Sequence, residues 1–358
     1  MIPLITAAQH SNALFQESEL LFTGDIMQHT LQLESAQKSD GTYSYSNYYK
    51  HISPIIKKTD IAVANLETTI GEKQYSGYPA FFAPDSFLYA IKDAGFNVLL
   101  FANNHCLDRG REGVLHTLNM LDSLKFKHCG VYRSKEERES RYPLIINSNG
   151  IDVAILNYTY GTNGIAVPEP IVVNLIDKEV ISADISKAKS MNADVIIACM
   201  HWGTEYTSLP PKEIVELSEW LLAEGVNHII GNHPHVIQPI EIRENPETPD
   251  RHAVIYSTGN LVSNMSLRGT DGGIMVKMQL KKVLNYTRLA SLEYLLTWIA
   301  PTHDGKRDFT ILPARGTIPG NEKAKQKLRT FLSDTEQLFN RHNKGEIKEF
   351  TIVNVFKH

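Results

Sequence analysis

Val226-Asn227-His228-Ile229-Ile230-Gly231-Asn232-His233-Pro234-His235 is the stretch on which the fold turns. Its apolar part, Val226 to Ile230, reads as a strand, so His233 and His235 fall in the loop at the strand's carboxyl end. Two residues apart on an extended backbone, they face the same side. Open α/β sheets build their sites at the carboxyl ends of strands. Imidazole is a common ligand for zinc, iron and manganese. The stretch therefore predicts a metal site, provided that other ligand-type residues are placed the same way.

Four further runs are. Leu20 to Phe22 leads into Gly24-Asp25, Asp60 to Ala64 into Asn65-Leu66-Glu67, Phe96 to Ala102 into Asn103-Asn104-His105, and Asp194 to Met200 into His201-Trp202-Gly203. Short runs this apolar are typical of parallel strands buried on both faces. Taken singly, Asp25 reads equally as a turn or helix-capping residue, Asn103-Asn104 as turn formers and Glu67 as solvated. Five strand ends carrying Asp, Glu, Asn and His together argue for a site. His29, four residues after Asp25, reads as a surface histidine at a helix start.

Composition is compatible with this. At 358 residues, 42% hydrophobic and 21% charged, the chain is an ordinary globular one able to bury a sizeable core. A net charge of −4 gives no electrostatic reason for nucleic-acid binding. Cys106, Cys129 and Cys199 form no disulfide framework or Cys-x-x-Cys pair and read as small buried residues. No segment approaches the roughly 20 apolar residues of a transmembrane helix. Met1 to Ala8 is apolar and ends in small residues but lacks a basic start, so residues 1–17 read as disordered or as a residual signal segment.

Elsewhere, helices are expected over Tyr48–Lys58, Asp85–Ala94, Asp108–Leu124, Asp177–Met191 and Pro211–Glu224. Arg141–Ile146 and Ile151–Asn157 read as strands joined across the turn former Asn149-Gly150. The loop Gly161–Pro170 is placed to border the site. After Gly231 the alternation gives way to consecutive strands, His252–Ser257, Gly273–Leu280 and Leu289–Ile299. That suggests a second sheet packed on the first, a layered α/β/β/α sandwich. Asn321–Asn340 reads as a surface helix capped by Asn321. The expected organisation is one domain over 18–320, with a helix and strand over 321–358 packed on it.

Asp25, Glu67, Asn104, His201, His233 and His235 make an oxygen and nitrogen ligand set suited to manganese, iron or zinc. One or two divalent transition ions are expected. Two ions sharing a carboxylate such as Glu67 would hold a hydroxide nucleophile and clamp both oxygens of a phosphoester under attack. His105 is the expected catalytic residue, protonating the leaving oxygen or stabilising phosphoryl charge. Asn65, Asn103, Trp202 and Glu205 are expected to contact substrate.

Six motifs in order carry a family resemblance: Gly-Asp-Ile-Met (24–27), Asn-Leu-Glu (65–67), Ala-Asn-Asn-His-Cys-Leu-Asp-Arg-Gly (102–110), His-Trp-Gly-Thr-Glu-Tyr (201–206), Gly-Asn-His-Pro-His-Val (231–236) and Tyr-Ser-Thr-Gly-Asn-Leu (256–261). The chain resembles, over roughly 18–265, the CapA family of capsule and poly-γ-glutamate biosynthesis proteins, related to calcineurin-like metallophosphoesterases. The resemblance implies a four-layer α/β/β/α fold of the metallophosphoesterase type. It also implies a role in making, exporting or anchoring an anionic polymer in the periplasm or cell envelope, alongside membrane-associated synthesis proteins. By the same resemblance Asp25 is the first ligand, Glu67 stands where a bridging aspartate is usual, and Asn104-His105 is a ligand followed by a phosphoryl-contacting histidine. Met27 occupies a place where the wider superfamily carries histidine, and thioether is a poor ligand for hard ions. Three functions follow. The favoured one is a metal-dependent hydrolase acting on an anionic polymer or a phosphorylated small molecule. The alternatives are a non-catalytic accessory subunit of a polymer-synthesis complex and a stand-alone metallophosphatase.

Overall fold

Alternation within the first strand, Phe15–Ile26, shows how the layers stack. Leu20 and Phe22 belong to one apolar core and Leu21 to another. The neighbouring strand Ile61–Leu66 does the same, with Ile61 and Val63 on one side and Ala62 and Ala64 on the other. Both strands are thus buried on both faces, which is why they read as unbroken apolar runs. The computed structural model describes residues 15–244, 250–300, 307–316 and 320–350. The expected residual signal segment lies outside the described residues as far as position 14, whereas 15–17 are already strand.

The first sheet runs Ile311–Pro313, Tyr286–Ile299, Gly272–Val283, Phe15–Ile26, Ile61–Leu66, Val98–Leu100, Lys127–Cys129. Pairing is antiparallel from Phe15–Ile26 towards the late strands and parallel towards Val98–Leu100. The second sheet runs Ile240–Glu244, Arg251–Ile255, His228–Asn232, Val195–His201, Ile151–Thr159, Leu144–Ser148. Its four central strands are parallel. Helices Asp85–Ala94 and Gly110–Ser123 pack on the outer face of the first sheet, through Phe87, Ile91, Val114 and Leu118. Lys178–Ser190 and Lys212–Glu224 pack on the second sheet, through Ile181, Ile185 and Leu221. The result is a four-layer α/β/β/α sandwich.

The sheets divide differently from the sequence expectation. The second sheet does not begin after Gly231. It already contains Leu144–Ser148 and the parallel strands that carry His201 and His233, and the long late strands return to the first sheet. The cause is the hairpin Gly272–Val283/Tyr286–Ile299, whose first arm pairs with Phe15–Ile26 from Phe15 to Phe22. The expected helix over Tyr48–Lys58 is also corrected: only Ser53–Ile56 is helical. Pro54 lacks an N–H and fits the first turn of a helix, not its interior. Lys135–Arg141, with no buried residue and hence no apolar pattern, is a helix the sequence did not reveal. Asn321 caps Glu322–His342, its side chain accepting the Ala324 N–H. That helix lays Leu328, Phe331 and Phe339 on the hairpin edge. Residues 351–358 of the expected C-terminal segment lie outside the described residues.

Candidate metal centre

The carboxyl ends of the parallel strands of both sheets meet at one seam. From the first sheet come Asp25, inside the end of Phe15–Ile26, Glu67 just after Ile61–Leu66, and Asn103, Asn104 and His105 after Val98–Leu100. From the second come His201, closing Val195–His201, and His233 and His235 after His228–Asn232. Asp25 lies in register with Asn65 on one side and Asn260 on the other. Gly24 permits that approach, since a Cβ there would sit 2.0 Å from the Gly259 carbonyl oxygen. The histidine pair is not extended, contrary to the sequence reading. His233 has φ +100° and His235 φ +59°, both on the left-handed side, where L residues are strained. Their turn is locked between the sheets by the His233 N–H, which donates to Asp25 Oδ2 at 3.3 Å.

All six expected ligands are buried. Asn104 turns its amide N–H to Asn163 Oδ1 at 3.1 Å, leaving its own oxygen 2.7 Å from His201 Nε2. Glu67 Oε1 lies 3.6 Å from His201 Nε2 and 3.8 Å from His235 Nε2. His235 Nδ1 is 3.2 Å from Asp25 Oδ2 and 3.0 Å from Asn260 Oδ1. Three groupings have ligand atoms mutually within 4.8 Å: Asp25–Glu67–His235, Glu67–His201–His233 and Glu205–His233–His235.

Electrostatically the cluster is unfinished. Both carboxylate oxygens of Glu67 are buried without a hydrogen-bond partner, and so is His233 Nδ1. Burial, reinforced by Asp25, pushes the Glu67 carboxyl well above the usual range. Burial pushes His201 well below the ordinary imidazole value, and lowers His233 to about 3, with neighbouring histidines adding to both shifts. Imidazoles held neutral are in the state a metal requires, and a cation would favour ionisation of the carboxyl that burial otherwise keeps protonated. A divalent cation would satisfy the orphaned Glu67 oxygens, so the residues present fit one.

The remaining expected residues divide. Asn65 donates to Asp25 Oδ1 at 2.8 Å and lies 3.3 Å from His201 Nδ1. Asn103 donates to Asn65 Oδ1 and the Leu66 carbonyl and accepts the His105 N–H. Both are buried struts of the cluster. Trp202 is wholly buried in the core, its indole N–H donating to the Tyr256 carbonyl. Of the four residues expected to contact substrate, Glu205 alone is partly exposed. His105 donates through Nδ1 to Asp108 Oδ2 at 2.8 Å and packs edge-on to Phe81.

Asp108, Asn163 and Asn260 went unrecognised in the sequence, although Asp108 sits three residues after His105 and Asn260 lies inside a quoted motif. His29 is corrected: it caps Thr30–Ala36 but is half-buried, its Nδ1 accepts the Asn264 N–H, and desolvation lowers it to about 4. Cys106, Cys129 and Cys199 are free and buried.

The sequence pattern of the bacterial capsule synthesis protein PGA_cap matches residues 19–265. The capsule biosynthesis protein CapA of Bacillus anthracis is 27% identical over 273 residues, covering 73% of this chain and 64% of that one. The PGA biosynthesis protein CapA of Bacillus subtilis (strain 168) is 28% identical over 269 residues, covering 73% of this chain and 67% of that one. The chain thus matches about two-thirds of each relative's length. Among solved structures, the calcineurin-like phosphoesterase YfkN from Bacillus subtilis is similar with a TM-score of 0.44 and 14% identity, over 90% of this chain and 98% of that chain.

Proposed function

The chain belongs to the family of the bacterial capsule synthesis protein PGA_cap, and from that premise we propose that the buried centre is a divalent-metal site catalysing hydrolysis. The observation that carries this reading is Glu67, a fully buried carboxyl whose two oxygens have no hydrogen-bond partner and whose Oε1 faces His201 and His235. Asp25, Glu67, Asn104, His201, His233 and His235 would hold one or two ions between them, in groupings that overlap. Oxygen and nitrogen donors of this kind suit manganese, iron or zinc. When bound, the metal supplies Lewis-acid polarisation of a phosphoryl or carbonyl oxygen and makes water a stronger acid.

The chain's own residues supply the rest. Asn65 fixes the Asp25 carboxylate from behind, Asn103 holds Asn65 in turn, and Asn163 takes the Asn104 amide so that its oxygen faces His201. Asp108 holds the proton on His105 Nδ1, leaving Nε2 as the nitrogen that exchanges a proton with the leaving oxygen.

The substrate is an anionic envelope polymer or a phosphorylated precursor of one. Membrane-associated synthesis proteins are the proposed partners and the cell envelope the proposed location. No helix among the described residues is long and apolar enough to cross a membrane. One observation favours a second reading, that of a non-catalytic accessory subunit. Met27 is buried and stands where the wider superfamily that the chain resembles carries a histidine, a thioether in place of an imidazole ligand.

Turnover of phosphomonoester and phosphodiester probes by manganese-loaded protein tests the proposal. His105→Ala is expected to lower kcat by about 10²–10⁴-fold, and Glu67→Gln to remove activity. Turnover indifferent to both changes would end the hydrolase reading.

A further inference from the structure

A half-buried carboxylate lies at the mouth of the cluster. Glu205 shares a compact grouping with His233 and His235, their ligand atoms within 4.8 Å of one another. It is half-buried, whereas the other grouped residues are fully buried. Its loop is fastened to the histidine turn, because the Tyr206 N–H donates to the Pro234 carbonyl at 2.8 Å. The Trp202 N–H does the same to the Asn232 carbonyl at 3.1 Å. Glu205 therefore keeps station over the His-Pro-His turn.

A carboxylate at a site mouth is not by itself a ligand. The independent sign is His233, whose Nδ1 is buried, has no hydrogen-bond partner and belongs to a residue only 3% exposed. A buried ring nitrogen left without a donor or acceptor costs free energy unless something binds it.

We propose that Glu205 is a metal ligand, joining His233 and His235 to hold a divalent transition ion at the mouth of the centre. This rests on the reading of the centre as a metal site. It changes the role expected from the sequence, where Glu205 was a substrate contact. Being half-exposed, Glu205 completes a position in exchange with solvent, while Glu67 serves the interior. The mouth ion is then the weaker-held one, and Glu205 sets its affinity.

The test is calorimetric titration of metal-stripped full-length protein with manganese alone and with zinc alone, for wild type, Glu205→Gln and Glu205→Ala. Ions retained after gel filtration are counted by elemental analysis. Both substitutions are expected to leave the tightest binding event in place. They should abolish the weakest event or reduce its affinity at least tenfold. Gln matches Glu in size, so its loss of binding would report the missing charge. Wild-type affinities and ion counts in both variants would overturn the Glu205 assignment while leaving the metal centre standing. Wild type that binds neither metal would overturn both.

Discussion

At the scale of single residues, Glu67 and His105 do different work and predict different phenotypes. Without metal, Glu67 is a buried carboxyl with no cation to compensate its charge, so folding must hold it protonated well above the range where the unfolded chain ionises it. Burying a charge without a partner is costly, and neutralising it relieves the cost. Glu67→Gln is therefore expected to raise the stability of metal-stripped protein, by about 1–3 kcal/mol on the scale of one unsatisfied buried group. It is also expected to lose the stabilisation that manganese gives wild type. Thermal melts of both proteins, with and without manganese, check this. A variant less stable than wild type in the stripped state would mean that Glu67 is already compensated. The site residues were legible because each ligand ends an apolar run. Asp108 and Asn260 were not, because their side chains meet the site only in the folded chain: Asp108 reaches His105, and Asn260 reaches His235 by lying beside Asp25 in register. The left-handed turn at His233 and His235 was equally hidden, since it is imposed by contact with Asp25 on the other sheet.

At the scale of elements, strand His228–Asn232 carries a second buried histidine that is purely structural. His228 Nδ1 accepts the Ala253 N–H at 3.1 Å, and burial lowers its pKa to about 3. The unfolded chain takes up this proton near the ordinary histidine value of about 6.5, while the folded chain refuses it until far lower pH. The His228 contribution is thus intact above the unfolded value and is lost progressively as pH falls towards the folded one. Between pH 7.5 and 5 it costs about 2 kcal/mol. His228→Asn keeps an acceptor without a titrating group, so urea unfolding should show the variant gaining about 2 kcal/mol on wild type over that interval. A constant difference would contradict the burial argument. Elements with strong local pattern, such as Asp85–Ala94 and Lys212–Glu224, lie close to where the sequence put them. Elements without one did not. Lys135–Arg141 buries nothing, and the tyrosines before Ser53 are held in the core without forming a helix.

At the scale of the whole molecule, the centre is where the two sheets are joined. Asp25, Glu67 and Asn104 come from one and His201, His233 and His235 from the other, so a bound ion would cross-link the layers. The strand ends were legible in the sequence but their division between sheets was not, because it depends on the late hairpin pairing with Phe15–Ile26 across more than 200 positions of chain. Binding only to the folded state would add about 4 kcal/mol at a thousandfold excess over Kd. The most direct measurement is elemental analysis of protein purified without chelator, beside an Asp25→Ala/His233→Ala variant. One or two equivalents of manganese, iron or zinc in the parent and none in the variant is the predicted result. A parent that holds no metal, even after all three are added back, would contradict the metal centre and leave the orphaned Glu67 carboxylate without its cation.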